Sequence, residues 1–223
     1  MSIRATPGRI LVVGSAAAPV GGDHLDLEIV VGSGASADVG TAAATMVWPG
    51  PAGERSVQTT RIAVGEQGSI VWRPEPVVSV SGSRHRSVLR VDLASAARAD
   101  LLEEVSLGRS GEPSGHLDLE VRVVRCGQVV VHHVERLGPE VPGWGGAVHV
   151  GPGRHVLSGV VVGPAVGTSA TLLRDPMGTG VAAAWLPIAA DVAVLLVVAP
   201  DRPAAHDALR SLRSRSDDGS SES

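Results

Sequence analysis

The sequence predicts a mainly β protein of layered, packed sheets, β-helical or sandwich-like, with a short C-terminal helix. Three observations predict it. Apolar residues recur with a period of two in many short runs, which puts one strand face in a core and the other outward. Gly, Pro and Ser punctuate those runs at Gly50-Pro51, Arg73-Pro74, Gly111-Glu112-Pro113 and Gly151-Pro152-Gly153. Helical periodicity is scarce, so a βαβ chain with a parallel sheet between helices is excluded in favour of stacked sheets.

The elements follow in order. Arg9–Gly14 is β-rich. In Leu25, Leu27, Ile29 and Val31 the apolar face alternates with Asp26, Glu28 and Val30. Further β-rich runs are Ala35–Trp48, Gln58–Val64, Ser69–Trp72, Val77–Val80 and Ser87–Leu93. Ala94–Leu102 has room for two helical turns or a strand. Leu117, Leu119, Val121 and Val123 alternate with Asp118, Glu120 and Arg122. Cys126-Gly127 then marks a hairpin turn before Val129–Glu135. His155–Val162 and Thr168–Leu173 read as strands. Val181–Pro200 has near-membrane apolarity, but Pro187 and Asp191 interrupt it, and a mid-bilayer Asp costs about 2.5–3.5 kcal/mol. Two buried strands, the second at Val192–Val198, fit it better. Pro203–Arg213 is helical, with Ala204, Ala208 and Leu212 on one face and basic residues at the end. Ser214–Ser223 is Ser- and Asp-rich and reads as a disordered tail. The domain reading is one β-rich unit over residues 1–200, a helix within 201–213, and the tail over 214–223.

The pentapeptide His24-Leu-Asp-Leu-Glu28 reappears as His116-Leu-Asp-Leu-Glu120. It points to two equivalent strands of a layered fold, or to nothing beyond two similar amphipathic strands. Two copies do not support a solenoid of many repeats.

Composition narrows the function. The net charge is −4, and all 19 basic residues are Arg. No basic surplus is available for a nucleic-acid backbone, and four Trp without Phe or Tyr make a poor base-stacking platform. The single cysteine, Cys126, forms no disulfide within the chain and fits a reducing compartment, so the expected location is cytoplasmic, off the membrane.

Enzyme signatures are missing: there is no phosphate-binding G-x-x-x-x-G-K-[ST], no G-x-S-x-G elbow and no H-E-x-x-H. Gly32-Ser-Gly34-Ala-Ser-Ala37 imitates a dinucleotide fingerprint, but the following Asp38-Val-Gly-Thr opens a helix poorly, and a β-turn is expected. His24, Asp26 and Glu28, like His116, Asp118 and Glu120, share a strand face. Neighbours two apart lie about 6.6–6.8 Å apart, too far for three to share one ion, so a wet polar face is expected. His132 and His133 point to opposite faces, one outward and one partly packed.

Five segments, taken together, resemble the urease accessory protein UreD (UreH) family. Pro19-Val-Gly-Gly-Asp-His-Leu-Asp-Leu is similar to its G-G-D-x-L strand. Val31-Gly-Ser-Gly-Ala with Thr41-Ala-Ala-Ala-Thr45 is similar to its G-A then T-x-x-A-[ST] run. Trp72-Arg-Pro-Glu-Pro76 is similar to its W-x-P-[EQ]. Leu101-Leu-Glu-Glu-Val-Ser-Leu-Gly-Arg109 with Gly111-Glu112 is similar to its acidic L-G-R…G-E region. Val134-Glu-Arg-Leu137 is similar to its E-R-L strand. The match covers about residues 19 to 137. The chain departs from the pattern before Pro19, in a compressed stretch from Pro139 to Gly163, and near Trp185.

The resemblance implies a non-enzymatic scaffold for nickel insertion. It would bind a UreF-like protein, which recruits a UreG-like GTPase, and dock on apo-urease, as a dimer within that complex. It implies no tightly bound cofactor. Nickel would be in transit, with Asp23, Thr45, Glu103 and Glu135 as passage candidates. Sparse oxygen ligands suit an ion that must be released. Each residue also has a plain structural reading. Asp23 can shape a turn, Thr45 and Glu103 can be ordinary strand residues, and Glu135 can pair with Arg136 or an Arg of a neighbouring strand.

Overall fold

The computed structural model describes residues 1–14, 16–146, 149–164, 166, 169–174 and 180–218. Strands β1 (Ser2–Thr6) and β2 (Arg9–Val13) form an N-terminal hairpin. The chain then coils through β3 (His24–Val31), β4 (Ser36–Thr41) and β5 (Thr45–Val47). It repeats the path through β6 (Ser56–Val64), β7 (Ser69–Trp72) and β8 (Val77–Ser79), and again through β9 (Arg84–Leu93) and β10 (Arg98–Ser106). β11 (His116–Arg125) and β12 (Gln128–Leu137) make a hairpin. β13 (His155–Val162), β14 (Thr171–Arg174), β15 (Ala182–Ala189), β16 (Val192–Ala199) and helix α1 (Arg202–Asp218) complete the chain.

Two sheets result. One has five strands in the order β12-β11-β9-β6-β3, the other eleven along β1-β2-β4-β7-β10-β13-β16-β15-β14 with β5 and β8 alongside. The coiled part is parallel: β3 pairs β6, β6 pairs β9 and β9 pairs β11, while β4, β7 and β10 pair in the facing sheet. This is a short, solenoid-like stack, the layered β fold the alternation predicts. The two copies of His-Leu-Asp-Leu-Glu lie in the same sheet. Register carries His24 through Val57 and Arg86 to Asp118, so the copies share a face with a shift of one inner–outer pair.

The inner faces meet in a core of Val31, Ile62, Leu89, Val91 and Val123 against Val39, Ile70, Leu101 and Val160. The outer face of the coiled five-stranded sheet is polar, with Asp26 held by Arg61 at 2.6 Å and Glu120 by Arg86 at 2.5 Å. That is the expected wet strand face, with one correction. His116 is buried, and its Nε2 lies 3.1 Å from Asp118 Oδ1. Glu140 reaches within 3.8 Å of its Nδ1.

Helix α1 packs on the outer face of the large sheet through Ala205, Ala208, Leu209 and Leu212. Asp201 caps it, its Oδ1 accepting from the Ala204 amide. Two carboxylates of β10 clamp it. Arg202 and His206 reach Glu104, and Arg213 grips Asp100 at 2.8 Å through both nitrogens. The His155 Nε2 lies 2.6 Å from the same Glu104, and these partners hold its carboxyl down to about 2 against the cost of burial.

Several sequence expectations shift. The segment with room for a helix at Ala94–Leu102 is the turn into β10 and its first half, because Ala97, Ala99 and Leu101 alternate into the core. Ala35–Trp48 is two strands. The helix extends to Asp218, past the expected boundary at 213, and residues 219–223 of the expected tail lie outside the described residues. Thr168 also lies outside them, and that strand is Thr171–Arg174. The turn at Gly32–Ala35 is confirmed, the Ala35 amide donating to the Gly32 carbonyl at 3.1 Å. Cys126 lies at the β11–β12 turn and is exposed.

Since Leu212 is fully buried under the helix, Leu212→Ala is expected to cost about 3 kcal/mol. Arg210→Ala, on the exposed side, is expected to change stability by less than about 0.5 kcal/mol. Urea denaturation of both variants, read as midpoint at unchanged slope, checks this. Equal midpoints would mean that α1 is not part of the cooperative fold.

Candidate functional site

The G-G-D turn comes first because it sets where β3 starts. A Cβ on Gly21 would lie 2.4 Å from the Glu54 carbonyl oxygen and from the Gly50 nitrogen, so the chain crosses there only because the side chain is absent. Gly22 has φ +93°, a conformation that favours glycine. The Asp23 carboxylate then accepts from the Val20 amide at 2.8 Å, and its carbonyl receives the Val57 amide, the first bond of the β3–β6 ladder. Asp23 is half-buried and its carboxylate is engaged in the turn.

The other candidates lie deeper. Period two puts Glu103 of β10 on the inner face with Leu101 and Val105. Its carboxylate accepts from Trp72 Nε1 at 2.7 Å and from Ser87 Oγ at 3.5 Å. Ser158, its ladder partner on β13, is also buried. Burial pushes the Glu103 carboxyl up to about 7, while the Trp72 and Ser87 bonds hold it down. Trp72 also lines a cavity of about 110 Å³ beside β3, with Leu25, Leu27, Thr41, Thr45 and Gln58. Thr45 thus lines the same cavity as the tryptophan that donates to Glu103.

Register ties Glu135 to the same level. Gln58, Ser87, Leu119 and Glu135 are ladder partners across β6, β9, β11 and β12, and all four lie on the inner side of their sheet. Leu119 is the one apolar member. Among the described residues, Glu135 pairs with neither Arg136 nor an Arg of a neighbouring strand. Arg136 is on the opposite face of the strand, and Glu135 instead faces His149 at 3.6 Å and His133 at 3.9 Å. Its Oε2 is buried without a hydrogen-bond partner. His132 is outward, near Glu120, and His133 is the partly packed one, as expected.

One rung away is a residue the sequence reading missed. His85 is fully buried, with its Nδ1 2.9 Å from Ser56 Oγ, and burial pushes its imidazole down to about 4. The signal was present. Arg84 and Arg86 flank it, so period two turns His85 inward along with Ser87 and Leu89. The β-rich run legible in the sequence starts at Ser87 and leaves His85 outside it.

The interior therefore carries a polar level, Thr45 and Gln58 at one edge, Glu103 with Ser87 and Ser158 in the middle, and Glu135 at the other edge. Among the described residues, no three His, Cys, Asp or Glu side chains are grouped to hold a metal ion. Isolated oxygen donors of this kind suit passing contact with a divalent cation rather than a resident site.

Residues 5–219 match the family model described as UreD urease accessory protein. The chain belongs to the UreD family. It is 34% identical over 197 residues to the urease accessory protein UreD 2 of Saccharopolyspora erythraea, covering 86% of this chain and 69% of the relative. It is 35% identical over 228 residues to the UreD of a Parafrankia species, covering 92% and 75%. With the UreD of Streptomyces coelicolor it shares 34% over 207 residues, covering 90% and 80%. Membership places the chain among accessory proteins for urease and implies a role in urease maturation without catalysis. No described helix of this UreD-family chain is long and apolar enough to cross a membrane.

The two buried titratable groups oppose each other with pH. His85 has a folded pKa below its ordinary 6.5, so its contribution is complete above 6.5 and is lost as pH falls toward 4. Glu103 has a folded pKa above its ordinary 4.5, so its contribution is complete below 4.5 and is lost as pH rises toward 7. Each spans on the order of 3 kcal/mol. Between 4.5 and 6.5 the two slopes are expected to cancel. Glu103→Gln leaves stability rising through that window, and His85→Gln leaves it falling. Urea midpoints against pH read both, and parallel profiles for the two variants would contradict the burial of these groups.

Proposed function

We propose that the chain is the scaffold subunit of a urease maturation complex and forwards nickel to apo-urease. It binds a UreF-like accessory protein, which recruits a UreG-like GTPase, and it is dimeric within that complex, in the cytoplasm. It is not an enzyme and holds no cofactor tightly. Nickel is its cargo. The observation that carries this reading is the buried Glu103 carboxylate, set in a polar level between two sheets of a UreD-family chain. Keeping a carboxylate there raises its pKa to about 7, a cost with no packing return.

On this reading the cation enters beside Thr45, passes Glu103 and leaves near Glu135. Asp23 contributes by fixing the turn that starts β3, whose Leu25 and Leu27 line the same cavity as Thr45. The residues lend oxygen atoms in succession, each group too sparse to retain the ion.

The test is co-expression with a UreF-like protein, a UreG-like GTPase and apo-urease, followed by activation at limiting nickel. Glu103→Gln and Glu135→Gln are each expected to leave the complex intact and to lower the activation rate about tenfold. Asp23→Ala is expected to lower the melting temperature of the chain as well as activation. Full activation by the double variant Glu103→Gln/Glu135→Gln would remove the nickel role and leave a β-rich binding module. Dissociation of the complex would make the two glutamates structural.

A further inference from the structure

His85 carries an unused donor atom. Its Nδ1 faces Ser56 Oγ at 2.9 Å, and the same hydroxyl lies 3.4 Å from the Arg84 carbonyl oxygen. A hydroxyl has one proton. If Ser56 gives it to that carbonyl, Nδ1 must carry the ring proton and donate to Ser56, which leaves Nε2 with a bare lone pair. Nε2 is buried and has no hydrogen-bond partner among the described residues. A buried imidazole nitrogen left unsatisfied calls for an occupant.

The position indicates which occupant. His85 and Ser87 are successive inner-face residues of β9, about 6.6–6.8 Å apart along the strand. Ser87 contacts Glu103. The imidazole is thus one step along the interior from the buried carboxylate, on the ladder rung next to that of Gln58 and Glu135. A neutral imidazole with a free lone pair is a good ligand for a divalent first-row cation, and a single one does not hold it as a cage would.

We infer that His85 Nε2 is a ligand on the nickel path, exchanging a divalent cation with Glu103. This rests on the nickel-forwarding reading. It adds a nitrogen donor to a series of oxygen donors, so the ion is selected midway by a ligand that prefers nickel to magnesium or calcium.

Imidazole nitrogen NMR of the full-length chain tests it, with Ni²⁺ alone as the probe. The His85 signals are assigned from their contact with Ser56 and by comparison with His85→Gln. Before metal, the expected tautomer has the proton on Nδ1. Substoichiometric Ni²⁺ is expected to broaden Nε2 of His85 selectively, and His85→Gln to lower the activation rate at limiting nickel about tenfold with an unchanged complex. A proton on Nε2, or no broadening while the wild-type chain still activates urease, overturns the ligand role; the orphaned nitrogen then holds a buried water, and the path reading stands. Broadening of His85 together with full activation by Glu103→Gln/Glu135→Gln keeps the His85 site and removes the path.

Discussion

The register of the parallel ladder β3-β6-β9-β11 is the constraint on which the rest depends. Strands paired in parallel keep their inner and outer faces aligned, and a slip of one residue exchanges the two. Here a slip would send Leu89 and Val91 into solvent and Arg86 and Arg90 into the core. The Asp23 turn sets that register, since its carbonyl takes the first amide of the β3–β6 ladder. One tight crossing at Gly21 and Gly50 therefore decides which residues of the coil face inward.

Once register is fixed, chemistry at one level of the interior is shared between strands far apart in sequence. Gln58, Ser87 and Glu135 come from three turns of chain, yet they lie on one rung. Glu103 enters from the facing sheet and meets Ser87. A packed interior tolerates such groups only when they are satisfied or functional. Glu104, the next residue, shows the contrast. It is directed to the other face of β10, where His155, Arg202 and His206 satisfy it and its carboxyl drops to about 2. Glu103, with two neutral donors among the described residues, is pushed up by burial to about 7. Adjacent glutamates on one strand thus serve separate purposes, the outer one fastening α1 and the inner one left underpaired.

The alternation of residues 25–31 and 117–123 was enough to read the layered β fold, because a half-buried strand writes its burial directly into the sequence. The coil was not legible as a repeat. Its turns are matched by backbone hydrogen bonds, which ask only for apolar residues inside and leave side-chain identity free. Leu25, Gln58, Ser87 and Leu119 occupy one rung without resembling one another. For the same reason the plain alternative to a passage role for Glu135, an arginine partner, is suggested by nearness in sequence to Arg136, while strand alternation turns the two apart. The pairing of Glu135 with His149 depends on how the 138–152 loop folds back, and no local pattern encodes that.

The G-G-D pattern offers a possible ligand beside a strand, and the geometry gives it a different weight. A carboxylate that caps the Val20 amide at 2.8 Å is engaged, while the Glu103 carboxylate and the His85 Nε2 are buried with less than they can bind. For an ion in transit the second state is the useful one. A group already satisfied by the protein must break a bond to take the ion, and a group caged by several ligands must break several to release it. Donors that are held in place, short of partners and spaced about one strand pair apart avoid both costs. On the proposed forwarding role, Asp23 matters as the residue that holds the ladder in the register that turns those donors to the interior.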